Sequence, residues 1–150
     1  VNTLPYTNYF VPYHRKTEIR DNKKDLDKAC VTPLNGDWNF DYYESVQEFE
    51  EAPHKKSKGR LPVPSVWNLF GYDQIQYVNI KYPIPFDPPN VPEENPCGFY
   101  QRHFDLHKLY KRKKRQYILN FDGVSSGYYV WINQQFVGYS QVSHSISRFD

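Results

Sequence analysis

Tyr77-Val78-Asn79-Ile80-Lys81-Tyr82-Pro83-Ile84-Pro85-Phe86-Asp87-Pro88-Pro89-Asn90-Val91-Pro92-Glu93-Glu94-Asn95-Pro96 sets the terms on which the rest of this chain is read. Six of its twenty residues are proline. Each proline fixes its own φ and lacks an amide donor, so neither a helix nor a central strand runs through this stretch. It is not a low-complexity linker, because Tyr77, Ile80, Tyr82, Ile84, Phe86 and Val91 supply apolar anchors. The pattern predicts a long, stiff loop packed down along its whole length. Loops of that kind are uncommon and often functional, and Asn79 is the lone amide in the apolar opening half. A loop that merely caps a sheet would have the same composition.

On the C-terminal side of this loop the pattern is that of a sheet. Phe99 to Phe104 is expected as one strand. Gln116 to Phe121 is the next, with Tyr117, Leu119 and Phe121 on one face. Tyr128, Val130 and Ile132 alternate with Tyr129 and Trp131 in a third. Asn133-Gln134 turns the chain into Gln135 to Tyr139, with Phe136 and Gly138 on one face. On the N-terminal side, Leu34-Asn35-Gly36-Asp37 is a turn, and Trp38, Phe40 and Tyr42 then alternate with Asn39 and Asp41 as a half-buried strand. Ser45 through Glu51 fits a short helical turn, with Ser45 as N-cap and Glu48 three residues on. Residues 53 to 60 form a basic loop, and Leu61-Pro62-Val63-Pro64-Ser65 leads into Trp67 and the loop around Gly71-Tyr72. Residues 1 to 14 read as an extended aromatic arm and residues 15 to 28 as a charged, solvated connector. Several short strands with no helices between them argue for an all-β, antiparallel sandwich.

Length and composition agree. A chain of 150 residues is one domain by prior and buries roughly 70% of its unfolded surface. Aromatics are 18% of residues, which suits a pleated, half-buried surface and argues against disorder despite a mean hydropathy of -0.83. No apolar run of transmembrane length and no charged-then-apolar leader is visible. Cys30 and Cys97, far apart and in no CxxC spacing, read as free thiols of a reducing compartment. A net charge of +2 is too small to imply a polyanionic partner.

Three constellations invite a chemical reading, and each has a plainer one. Lys108 to Arg115 holds six Lys or Arg residues but only Tyr110 among them. A nucleic-acid surface would interleave more rings, so a solvated hairpin loop fits better. His103 and His107 have a helical metal spacing, but Arg102 and Phe104 put His103 in strand pattern, where residues four apart lie far from each other. Glu93-Glu94 is a carboxylate pair, but glycosidases set two carboxylates on separate elements flanking the bond, and neighbours in one loop do not face one centre that way. Nothing among these residues constitutes a catalytic site.

The chain as a whole resembles the N-terminal region of a glycoside hydrolase family 2 β-galactosidase of the large bacterial type. The resemblance rests on pieces spread over its full length and in the family's order. They are Asn2 to Pro5 with Phe10 to Tyr13; Leu34-Asn35-Gly36-Asp37-Trp38 followed by Phe40; Val63-Pro64-Ser65-Val66-Trp67; Tyr77 through Pro83; and Pro88-Pro89 with Val91 to Pro96. Phe121-Asp122-Gly123-Val124 follows, and then Val130-Trp131-Ile132-Asn133 with Phe136-Val137-Gly138-Tyr139.

The resemblance implies a jelly-roll β-sandwich over residues 31–150, preceded by an arm and connector at 1–30 and incomplete before its last strands. It implies a sugar-binding role beside a TIM barrel that holds the acid/base and nucleophile glutamates. No catalytic residue is then expected in this chain. The implied partners are the remaining domains of the enzyme, a β-galactoside substrate and further copies in a homo-oligomer, with no nucleic acid and no membrane, in the cytoplasm. In the family's Tyr-x-Asn-Val-x-Tyr-Pro motif the Asn touches galactose; here the match is Asn79, with Ile80 at the Val position. Full-length members use magnesium and sodium, and a family Asp following Gly-Gln contacts both sugar and sodium. This chain departs there: Val142 stands at that position within Tyr139-Ser140-Gln141-Val142-Ser143 and offers no oxygen, leaving Ser143 and His144 as replacement sugar contacts. Rival readings are a free-standing carbohydrate-binding module, which requires an exposed aromatic platform, and a nucleic-acid module using residues 108 to 115.

Overall fold

The computed structural model describes residues 4–5, 11–13, 30–51, 59–75, 87–106, 116–141 and 143–150. Asn79, Ile80, Val142, the connector at 15–28 and the basic run at 108–115 lie outside the described residues. Seven strands are described: β1 Gly36–Tyr43, β2 Gly59–Val63, β3 Cys97–Gln101, β4 Leu119–Phe121, β5 Tyr128–Ile132, β6 Gln135–Ser140 and β7 Ser147–Phe149. One α-helix, α1 Val46–Glu51, and one 3-10 helix, Trp67–Phe70, accompany them. Every strand pair is antiparallel, in the orders β2-β1-β3, β4-β7 and β5-β6. The chain is therefore strand-rich and antiparallel, as its aromatic alternation predicts. It divides into two compact units, one of Pro33–Asp105 and the other of Val1–Thr32 with Leu106–Asp150.

In the first unit β1 is the central strand and both of its faces are covered. Phe40 lies opposite Tyr100 of β3, their rings 4.8 Å apart. Trp67 and Tyr72 close over the same face, with centroids 6.1 and 5.0 Å from the Phe40 ring, and Tyr42 meets both. The 3-10 helix that delivers Trp67 ends at Gly71, whose φ of 83° is a left-handed conformation open to glycine at little cost. The Trp67 ring lies flat enough on β3 that a Cβ at Gly98 would sit 2.5 Å from it and 2.7 Å from Phe40. Glycine is required there by close approach. On the opposite face, α1 brings Phe49 against Tyr43 at 5.3 Å and Phe99 at 5.7 Å. The expected N-cap of this helix is present. The Ser45 hydroxyl accepts from the Glu48 amide at 3.1 Å, and the Glu48 carboxylate accepts from the Glu44 amide at 3.0 Å. Phe40, Tyr43 and Leu61 are 1 to 2% exposed. Burying each such side chain contributes about 1.5–3 kcal/mol.

Several expected boundaries shift. Gly59 and Arg60 belong to β2 and not to a basic loop, and Leu61 to Val63 continue that strand. Among the described residues β2 is the outer strand of its sheet, the position where a strand tolerates proline such as Pro62. The strand expected at Phe99 to Phe104 is Cys97–Gln101, because pairing with Tyr43 to Asn39 of β1 sets its limits. The proline segment is not packed down along its described half. Val91 is 72% exposed, and Asp87 to Asn90 form a turn closed by the Asn90 amide on the Asp87 carbonyl at 2.8 Å. The loop returns to the sheet only near Asn95, which bridges Ser45.

In the second unit Phe121, Tyr128 and Phe149 form a ring cluster with centroids 5.1 to 6.2 Å apart. The strand expected from Gln116 begins only at Leu119, where pairing with Phe149 starts, and Tyr117 stays 39% exposed. β7, unanticipated from its three residues, buries Phe149 to 1%. The arm reaches this strand, as the Leu4 amide donates to the Arg148 carbonyl at 2.7 Å. Asn133 and Gln134 form the expected turn, both with positive φ, 51° and 67°. The pairing of β5 with β6 slips by one residue. Val130 faces Gly138 and Trp131 faces Phe136, so the register shifts by one at a bulge that includes Val137. Phe136 and Gly138 therefore do not share a face, contrary to the simple alternation.

Candidate functional site

The turn between β6 and β7 is held at both ends by buried hydroxyls. Ser140, the last residue of β6, is 6% exposed, and Ser147, the first of β7, is 7% exposed. The Tyr128 hydroxyl and the Ser147 hydroxyl are hydrogen-bonded. Burial raises the Tyr128 pKa above its usual value, while the hydrogen bonds to Ser147 and Ser140 act in the opposite direction. Anchored in this way, the turn presents Ser143, half-buried, and His144, exposed, with the Ser145 amide donating to the Ser143 carbonyl at 3.0 Å. A hydroxyl and an imidazole side by side suit hydrogen bonding to a polyol. Of the sequence-derived contacts, the structure brings these two to one turn. Asn79, Ile80 and Val142 fall outside the described residues.

Glu93 and Glu94 are neighbours in the exposed loop after Val91. His103 is exposed, and among the described residues no group of three His, Cys, Asp or Glu side chains is placed to hold a metal ion. Cys30 and Cys97 are free thiols, and burial raises the Cys97 pKa, with Glu48 adding to it.

The outward face of the β5–β6 hairpin carries a feature that alternation alone did not single out. Tyr129, Trp131 and Phe136 are 61, 47 and 55% exposed. Their rings form a continuous set with Tyr139. Tyr129 lies 4.8 Å from Tyr139 and 5.7 Å from Trp131, and Trp131 lies 5.7 Å from Phe136. The Tyr139 hydroxyl donates to Gln141 Oε1 at 3.0 Å. The available signal was a strand with aromatics at positions 128, 129 and 131, an even and two odd numbers, which puts rings on both of its faces.

Comparison with known proteins gives one family and a consistent set of relatives. The sugar binding domain of the glycosyl hydrolases family 2 matches residues 31–150. A beta-galactosidase of Staphylococcus xylosus is 47% identical over 150 residues, covering all of this chain and 15% of that protein. A beta-galactosidase of Actinobacillus pleuropneumoniae is 42% identical over 151 residues, again across the whole chain and 14% of the relative. One from Yersinia pestis bv. Antiqua (strain Angola) is 42% identical over 142 residues, or 93% of the chain and 13% of the relative. The chain thus spans about one seventh of the length of the curated relatives it matches.

Proposed function

This chain belongs to the sugar binding domain family of the glycosyl hydrolases family 2, and from that membership we propose that it serves a β-galactosidase as its non-catalytic, sugar-contacting part. The observation that carries the reading is identity of 42 to 47% running across essentially the whole chain with proteins named as beta-galactosidases. The reaction proposed for the parent enzyme is retaining hydrolysis of terminal β-D-galactosides such as lactose. That chemistry needs two carboxylates about 5–5.5 Å apart on opposite sides of the bond. Both come from the barrel of the parent enzyme, and this chain supplies binding and orientation.

In this reading Asn79 extends from the proline-rich segment into the galactose pocket. Its amide donates to one hydroxyl and accepts from another, while Ile80 forms an apolar wall. Ser143 and His144 give a second set of contacts from the β6–β7 turn. The valine side chain at 142 has no lone pair, so the family's sodium does not fit this position and no step runs through it. The seven strands are the described part of a jelly-roll sandwich spanning 31–150, with residues 1–30 as its arm. Its partners are the other domains of the enzyme and further copies of the protein, in the cytoplasm. Among the described residues no helix is long and apolar enough to cross a membrane.

The test is Asn79→Ala in the full-length protein. Losing a hydrogen bond to a substrate hydroxyl costs about 1–3 kcal/mol, read as a fall in kcat/KM for a chromogenic β-galactoside at unchanged thermal stability. Unaltered kinetics would remove Asn79 from the pocket. The 150-residue chain by itself is expected to give no turnover above a blank.

A further inference from the structure

We propose that the outward face of the β5–β6 hairpin is a second carbohydrate site, separate from the galactose pocket. It is a stacking platform for a neutral pyranose, built from Tyr129, Trp131, Phe136 and Tyr139. The inference stands apart from the reading above, since it requires neither Asn79 nor hydrolysis.

Three observations converge on a sugar. First, the four rings form one surface, with successive centroids 4.8 to 5.7 Å apart, and three of them are about half exposed or more. Contiguous exposed apolar area of this kind marks a binding surface. A pyranose presents a face of C–H groups, weakly positive, that complements the negative face of an aromatic ring.

Second, the hairpin and the segments that flank it in sequence are uncharged. Residues 123–147 contain no Asp, Glu, Lys or Arg, although such residues make up 24% of the chain. A platform for nucleic-acid bases would need cations beside the rings to meet phosphates. An uncharged platform matches an uncharged ligand.

Third, the rim consists of amides. Asn133 at the turn is exposed, and Gln141 accepts the Tyr139 hydroxyl proton at 3.0 Å, which sets its amide beside the rings. Carboxamides both donate and accept, as sugar hydroxyls require.

The experiment uses the full-length protein that carries this chain. It is run through native gels containing hydroxyethylcellulose, a β-glucan that a galactosidase leaves intact, or a linear β-1,4-galactan. Retardation by at least one is expected. Trp131→Ala and Tyr129→Ala should weaken it by about tenfold, since each removes one stacking face. Trp131→Phe should retain most of it, and Asn79→Ala should leave it unchanged. Thermal melting checks that each variant remains folded. Absence of retardation in both gels, or equal retardation of wild type and Trp131→Ala, overturns the proposal. Loss of retardation on Asn79→Ala assigns the binding to the galactose pocket and overturns it too. So does a change in sedimentation in Trp131→Ala, which would show that a second copy occupies the face.

Discussion

Two aromatic regions of this molecule have nearly the same ingredients and different fates. On β1, Phe40 and Tyr42 are roofed by Trp67 and Tyr72, while α1 seals the other face with Phe49. On β5 and β6, Val130 and Ser140 are buried at 6% each, but Tyr129, Trp131 and Phe136 face outward. The difference does not lie in the residues, which are rings in both places. Among the described residues, it lies in whether a further element folds back over them. The Gly71 left-handed cap and the Ser45 N-cap each fix such an element over the β1 sheet. Aromatic content alone is therefore a poor guide to core, and the connecting segments decide which rings are buried.

The contrast predicts unequal responses to removing a ring. Phe40→Ala should cost about 3–5 kcal/mol in urea unfolding, through lost burial and the cavity left behind. Phe136→Ala should cost less than about 1 kcal/mol, since its ring is already 55% exposed. Similar costs for the two would abolish the distinction. Adding volume sharpens it from the other side. Gly98→Ala puts a methyl within 2.5 Å of Trp67 and should destabilise by about 1–3 kcal/mol. At Gly123 a Cβ meets nothing within 4 Å, so Gly123→Ala should change stability by less than about 0.5 kcal/mol.

Smaller effects probe the elements that cover β1 and the turn that shapes the exposed hairpin. Ser45→Ala removes the acceptor for the Glu48 amide and should cost about 1 kcal/mol, visible as a lower thermal midpoint. Gln134 occupies φ 67°, where a side chain is strained, so Gln134→Gly should stabilise by about 0.5–1 kcal/mol. A destabilising result there would mean that the Gln134 side chain makes contacts that offset the strain.

The elements that declare themselves locally were legible in the sequence. Alternation located β1 and β5, the serine and glutamate spacing located α1, and Asn133-Gln134 located the turn into β6. Elements defined by pairing were harder to see. Leu61 to Ser65 reads only as leading into Trp67, with no strand of its own, yet Pro62 pairs with Asp37 on an outer strand. β7 is too short for any periodicity to show. The limits of β3 are set by where β1 stops offering partners, which no local pattern records. For the candidate site, Asn79 stood out as a lone amide in an apolar stretch, but its role and the choice of Ile80, Val142, Ser143 and His144 came from a family motif and not from the physics of their neighbourhoods. The aromatic platform was in plain sight in the composition, but the face on which each ring lies depends on a register that only the paired strands reveal.

That register has a consequence for how this hairpin tolerates changes in length. Phe136 and Tyr139 are three positions apart, an odd interval that would send them to opposite sides of a regular strand. They share a side because the register shifts by one residue between them, so the interval counts as two. A chain one residue shorter, lacking Val137, would keep Phe136 opposite Trp131, Gly138 opposite Val130 and Tyr139 opposite Tyr129. Insertion and deletion at this point are thus silent in the facing of side chains, whereas the same change one strand away, in β5, would turn Trp131 inward and Val130 out.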